Sequence, residues 1–194
     1  MATVSRKDAI LEAARVEFAD YGYAGARIER IAGSASANKQ LIFHYFGSKD
    51  GLYAAAAAAT FRSAPLPHQG TATPTESLRR FVGEIASWFA GTPGAALFAS
   101  ECVPGRSIPD EAERTVTAWL QLASSAIEHA IVDGQRKGFF RDDVDAQRVA
   151  ALIVGSAVGN ALLLQRARSS TSTDPASMFA TLLAQVAVDL CVWR

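Results

Sequence analysis

Apolar residues recur at intervals of three and four along nearly the whole chain, and no stretch alternates apolar with polar around an Asn-Gly or Asp-Gly turn. That period belongs to helices that each bury one stripe. It leaves an all-α fold as the reading, with the helix boundaries set by caps and breakers.

The first helix is expected from Ser5 to about Tyr21. Ser5 and Asp8 have the capping-box spacing, Ile10, Leu11, Ala14 and Phe18 share a face, and Gly22 is placed to stop it. A short helix over about Arg27–Ser34 buries Ile28, Ile31 and Ala32. Asn38 caps a third, which buries Leu41, Ile42 and Tyr45 and ends at Phe46-Gly47. Ser48 caps a fourth, stiffened by the alanine run 54–59. Residues 64–74 carry three prolines and a glycine and form a loop. Helices then follow at about Thr75–Ala90, Gly94–Val103, Pro109–Lys137, Asp145–Arg168 and Pro175–Val192. The breakers between them are Thr92-Pro93-Gly94, Pro104-Gly105, Gly138 and Ser169 to Asp174, giving about nine helices in all.

With 194 residues, 49% hydrophobic and 20% charged, the chain buries a core without staples and is not disordered. Its 19 basic and 19 acidic side chains cancel, so any attraction to nucleic acid must be local. Cys102 and Cys191 stand far apart and near no other ligand-type residues, which fits two reduced core thiols and no metal. Neither an apolar export segment at the N-terminus nor a membrane span is expected. Val149–Gln165 is uncharged, but it is slightly short of the roughly 20 residues a span needs and contains Ser156, Asn160 and Gln165. A cytoplasmic protein with no membrane partner is expected.

Function concentrates in the first fifty residues. The second and third helices are joined by Gly33-Ser34-Ala35-Ser36-Ala37, all small. A helix-turn-helix crosses at a steep angle, so its corner tolerates only small side chains, and Ala32, Ala35 and Ile42 would form it. The third helix then projects as a recognition helix toward base edges in the major groove.

The segment Ile10-Leu11-Glu12-Ala13-Ala14 to Phe18, then Tyr21-Gly22-Tyr23, Arg30-Ile31-Ala32 and Phe43-His44-Tyr45-Phe46-Gly47-Ser48-Lys49-Asp50-Gly51-Leu52, resembles the DNA-binding domain of the TetR family. The likeness covers roughly residues 5 to 53, and Gly138 to Asp145 resembles the link before the penultimate helix of many members. It departs at the turn, where Ala35-Ser36-Ala37-Asn38 replaces the common Ala-Gly-Val-Ser. It departs again at Ala26-Arg27 and at Gln40-Leu41. The resemblance implies a helix-turn-helix DNA-binding domain over 1–50 and a helical ligand-binding and dimerisation domain over 51–194. It implies a homodimer on a palindromic double-stranded operator, usually a repressor, released by a small-molecule effector of unknown identity.

On that frame Asn38, Lys39 and Gln40 open the recognition helix, where Gln pairs with adenine and Lys reaches guanine. His44 faces the DNA backbone or a base, and the Tyr45 hydroxyl donates to a phosphate while its ring packs. Lys49 begins a helix, where a cation opposes the dipole, a cost consistent with a phosphate contact. Arg27 grips a phosphate beside the free amides of the second helix. Phe43, Phe46, Tyr53, Phe18 and Tyr21 are expected in the core.

The resemblance also implies an effector cavity, for which Trp88, Phe89, Phe98, Cys102, Trp119, Leu122 and Asn160 are candidates, although each aromatic suits plain core as well. The dimer interface is expected from Gly155 and Gly159, four apart, with Leu152, Val158 and Leu162 beside them. The last helix would add Leu182, Leu183, Val186, Leu190 and Trp193. An enzyme is not expected. The chain has no Gly-rich phosphate loop, no His-x-x-x-His and no Glu-x-x-His, and His44, His68 and His129 are dispersed. Asp142, Asp143 and Asp145 precede a helix, whose dipole they favour. No cofactor is expected.

Overall fold

The computed structural model describes residues 5–67, 72–102, 107–167 and 175–192. The breakers at 104–105 and 169–174, and His68 and Trp193, lie outside them. The described residues are helical with no strand. The helices are α1 (Arg6–Gly25), α2 (Ile28–Ser34), α3 (Lys39–Phe46), α4 (Lys49–Phe61), α5 (Pro74–Gly91), α6 (Ala95–Glu101), α7 (Asp110–Arg136), α8 (Ala146–Ala167) and α9 (Pro175–Cys191).

Local chemistry sets these boundaries. Ser5 Oγ accepts from the Asp8 amide at 3.1 Å, and Gly22, at φ 66° and ψ 178°, breaks α1 as expected. Ser48 Oγ accepts from the Gly51 amide at 3.1 Å and starts α4. Gly51 itself is required by close approach, since a Cβ there would lie 2.1 Å from the Phe46 carbonyl oxygen that ends α3. Thr73 and Glu76 exchange two bonds across the start of α5, amide to carboxylate at 3.1 Å and amide to hydroxyl at 3.3 Å.

Packing divides the chain into two units that are not contiguous in sequence. One comprises 1–63 with 92–118, the other 64–91 with 119–194. In the first, α1 packs on α2, α4 and α6, and α3 on α2 and α4. Its core is Ile10, Phe18, Ile31, Ile42, Leu52, Tyr53 and Phe98, with Tyr53 at the centre of an aromatic cluster. The Tyr53 ring lies 4.8 Å from Phe18, 5.0 Å from Tyr23 and 5.0 Å from Phe98. Ala54, Ala56 and Ala57 are buried, so the alanine run does more than stiffen α4: it lets α1 and α6 approach its backbone closely.

In the second unit α5 packs on α8 and α9. Leu78, Val82, Ile85 and Phe89 of α5, Val149, Ile153 and Ala157 of α8 and Ala180, Ala184, Ala187 and Val188 of α9 are all buried in this unit. The small residues of α9 permit close contact, and a Cβ on Gly83 would lie 3.8 Å from that of Ala184. The window 146–163 of α8, at mean hydropathy 1.4, is long and apolar enough by composition to cross a membrane. Its Val149, Ala150, Ile153, Val154, Ala157 and Ala161 face is nonetheless buried within the unit.

Five core expectations change. Leu41 and Phe46 are half-buried, and Tyr45, Phe43 and Tyr21 are exposed. Helix α3 is only two turns long and touches its neighbours along one line, so Ile42 alone is fully buried and the flanking rings face outward. Tyr21 lies beside the break in α1, its ring covered by the Arg30 guanidinium at 4.1 Å.

Candidate nucleic-acid interface

The corner between α2 and α3 is built as the small residues require, with Ala32, Ala35 and Ile42 all buried. The Ala37 amide donates to the Ala32 carbonyl at 2.9 Å and the Ser36 amide to the Gly33 carbonyl at 3.2 Å. Those two bonds are a Schellman motif, whose left-handed position is here Ser36 at φ 49°. Asn38 Oδ1 accepts from the Leu41 amide at 2.7 Å and fixes the first turn of α3. The other end of the pair is held by a buried carboxylate. Glu17 of α1 accepts from the Arg27 amide at 2.8 Å and from Arg30 Nε at 2.7 Å. Burial pushes this carboxyl up, but the Arg30 hydrogen bond, the Arg27 amide and the two positive charges outweigh it and hold it below its ordinary value.

With Ile42 as its anchor, α3 turns Lys39, Gln40, Phe43, His44 and Tyr45 outward, and Asn38 is exposed at its start. Lys39 is ion-paired with Glu29 of α2. The His44 and Tyr45 rings lie 5.5 Å apart. Lys49, half-buried, places its ammonium 4.9 Å from the centre of the Tyr23 ring. The Tyr23 hydroxyl in turn donates to Asp50 at 2.6 Å, and that bond, with burial and the Asp50 charge, raises the phenol to about 12. The Arg27 side chain is exposed, but its amide is taken by Glu17 and is not free for a phosphate.

Three charged residues on this surface were absent from the sequence expectations. Arg6 Nη1 donates to the Ser36 carbonyl at 3.2 Å, and Lys7 lies 5.8 Å from the Phe46 ring, which places both cations beside the turn and α3. Both sit in the first turn of α1, where a cation opposes the helix dipole, the same local signal that Lys49 carries at the start of α4. Glu29, the partner of Lys39, had no local signal.

The remaining candidates are spread more widely. Phe98 is fully buried against Tyr53 in the first unit, and Cys102, half-buried there, donates from Sγ to the Phe98 carbonyl at 3.3 Å. In the second unit Trp88, Phe89 and Trp119 form one cluster, with Trp119 5.2 Å from Trp88 and 5.6 Å from Phe89. Asn160 is half-buried, and Leu122 is exposed along a groove between α5 and α7. On α8 and α9, Leu152, Gly155, Gly159 and Val186 are exposed, together with Leu163, Leu182 and Leu190, while Val158 and Leu162 are half-buried. A Cβ on Gly155 or Gly159 would meet nothing within 4 Å. Leu183 lies inside the unit's own core, one position out of phase with the outward face. Among the described residues no three His, Cys, Asp or Glu side chains gather to hold a metal.

Comparison with known proteins adds four likenesses. Residues 10–56 match the model for "Bacterial regulatory proteins, tetR family". The chain is 32% identical over 154 residues to the HTH-type transcriptional repressor SCO4008 of Streptomyces coelicolor, covering 78% of this chain and 76% of that one. It is 31% identical over 143 residues to the HTH-type transcriptional repressor NicS of Pseudomonas putida, covering 71% and 67%. Its fold superposes on the MbdR regulator from Azoarcus sp. CIB with a TM-score of 0.83 at 18% identity, across 97% of this chain and all of that one.

Proposed function

Because the chain belongs to the TetR family of bacterial regulatory proteins and is a DNA-binding transcriptional regulator, we propose that it is a cytoplasmic repressor that binds a palindromic operator as a homodimer and is released by a small-molecule effector. The observation that carries the reading is the outward face of α3: one buried anchor, Ile42, and beside it Gln40, His44 and Tyr45 exposed on a helix capped at Asn38. Residues 1–50 present this surface. Gln40 and Lys39 read base edges, while Arg27, His44, Tyr45 and Lys49 hold the backbone, joined by Arg6 and Lys7.

Residues 51–194 carry the other two roles. Leu152, Gly155 and Gly159 on α8 and Val186 on α9, with Leu163, Leu182 and Leu190, present an apolar surface exposed among the described residues; Leu152 is 65% exposed and Leu163 66%. Glycines with open space above them let a second copy's backbone approach closely. A two-fold axis through this face makes the operator a palindrome. Repression is the role carried in the names of both relatives described above.

The test is selection of bound duplexes from a random pool. Enrichment of a two-fold-symmetric sequence supports the reading. Unselective binding, or no binding, overturns it. On the selected duplex, Lys49→Ala should weaken binding to all sequences alike and reduce the salt slope by about one. Gln40→Ala should instead relax preference at one or two positions per half-site.

A further inference from the structure

Leu122 is exposed on α7, yet it does not stand alone. Leu122, Ala126 and His129 recur at the helical period along one flank of α7, beside the buried flank of Ala123, Ile127 and Ile131. Across from it, Phe81 of α5 is almost fully buried and forms a floor, and Arg80 stands next to it with its side chain 47% exposed. The segment after α4 supplies the end wall through Pro67. That segment is pinned, because Trp119 Nε1 donates to the Pro65 carbonyl at 3.3 Å and the Trp119 ring is clamped by Trp88 and Phe89. The result is a groove of about 380 Å³ between α5 and α7, within the range of small-molecule sites.

Its chemistry is one-sided. The walls are mostly carbon, the polar groups include a guanidinium and an imidazole, and none of the described lining residues is acidic. Glu84, one turn along α5, reaches only 4.0 Å from Arg80 Nε, the outer limit of an ion pair. A guanidinium at the edge of an apolar trough matches a carboxylate on an apolar body, which it grips with two parallel hydrogen bonds. The same charge repels a cation. We propose that this groove binds a small amphipathic organic anion, with Arg80 on the carboxylate, His129 beside it and the apolar body over Phe81 and Leu122. The inference rests on the regulator reading in one respect: it makes this anion the class of the effector.

The experiment uses the full-length protein and titration calorimetry with octanoate and 4-phenylbutanoate, against octylamine as a cation of matched body. At least one carboxylate should bind wild type, with octylamine at least tenfold weaker. Arg80→Gln should weaken carboxylate binding at least tenfold, and Leu122→Trp, which fills the groove from an exposed position, should abolish it. Both sites are at the surface, and circular dichroism checks that the variants fold. No carboxylate binding to wild type up to millimolar concentration overturns the proposal. So does octylamine binding as tightly, or unchanged binding in either variant. The same ligands are then added to protein on its selected duplex. Release from wild type but not from Leu122→Trp identifies the anion as effector. Groove binding with no change in DNA affinity leaves the site standing and removes its effector role, and unselective DNA binding removes the regulator reading while leaving the calorimetry intact.

Discussion

The Tyr53 hydroxyl donates to the buried carboxylate of Glu101, 48 residues further along the chain. The same carboxylate accepts from the Tyr23 amide at 3.2 Å, and it lies where a side chain on Gly22 would be, 2.7 Å from the position of a Cβ. The break in α1 thus frees an amide that α6 satisfies. The arrangement ties α1, α4 and α6 at a single point.

Tyr53→Phe should destabilise the protein by about 1–3 kcal/mol, because a buried carboxylate loses a donor without losing its burial. Gly22→Ala should cost at least as much. Its backbone, at φ 66° and ψ 178°, lies in a region that is essentially glycine-only and costs about 1–3 kcal/mol to occupy otherwise, before the clash with Glu101 is added. Urea denaturation of the two variants checks both, and wild-type stability in either would separate Glu101 from the fold's integrity.

Ser36→Gly should stabilise. Ser36 holds φ 49° as the left-handed residue of the Schellman motif, a conformation that costs a residue with a Cβ roughly 1–2 kcal/mol. Glycine removes that cost but gains unfolded-state freedom worth about 0.4–1 kcal/mol, so the net gain should lie between about 0 and 1.6 kcal/mol. Thermal melts decide the sign, and a lower midpoint would mean that the hydroxyl contributes more than the strain costs.

Glu29→Gln should strengthen DNA binding. Lys39 is ion-paired to Glu29 in the free protein, so a phosphate or base must compete with that carboxylate. Exposed pairs of this kind contribute little, so the gain should be no more than about fivefold. Anisotropy titrations of the selected duplex measure it, and weaker binding by the variant would show that Glu29 positions Lys39 for its target.

Gly159→Trp should leave the protomer folded and split the dimer. A Cβ there meets no described atom of its own chain within 4 Å, so the indole is directed at the proposed partner across the face. Sedimentation should show wild-type dimer and variant monomer at micromolar concentration, with unchanged circular dichroism. A variant that remains dimeric would move the interface elsewhere.

Glu17 gives the fold an acid-sensitive component. Its folded-state carboxyl lies below the ordinary 4.5, so its stabilisation is fully present above that value and is lost as pH falls through the lower folded value. The stability difference between wild type and Glu17→Gln should therefore be constant near neutrality and shrink below about pH 4.5. A difference that grows on acidification would contradict the assignment.

The helices and their ends were legible because they are made by neighbours in sequence. Ser5 with Asp8, Asn38 with Leu41 and Ser48 with Gly51 are contacts three residues apart, and the small residues at 33–37 announced the corner before any packing was known. The third helix followed from those signals and from the resemblance around residues 43–52. Tertiary structure alone decided which face of each helix was covered, and there the sequence misled at Phe43, Tyr45, Tyr21 and Leu183. Apolar character says that a ring would profit from burial, but not whether a short helix has a second neighbour to bury it. The polar ties were equally invisible: Glu101 meets Tyr23 across 78 residues, Glu17 reaches Arg30, and Glu29 holds Lys39. A carboxylate's partner depends on where two separate helices cross, and no period or spacing along the chain encodes that crossing.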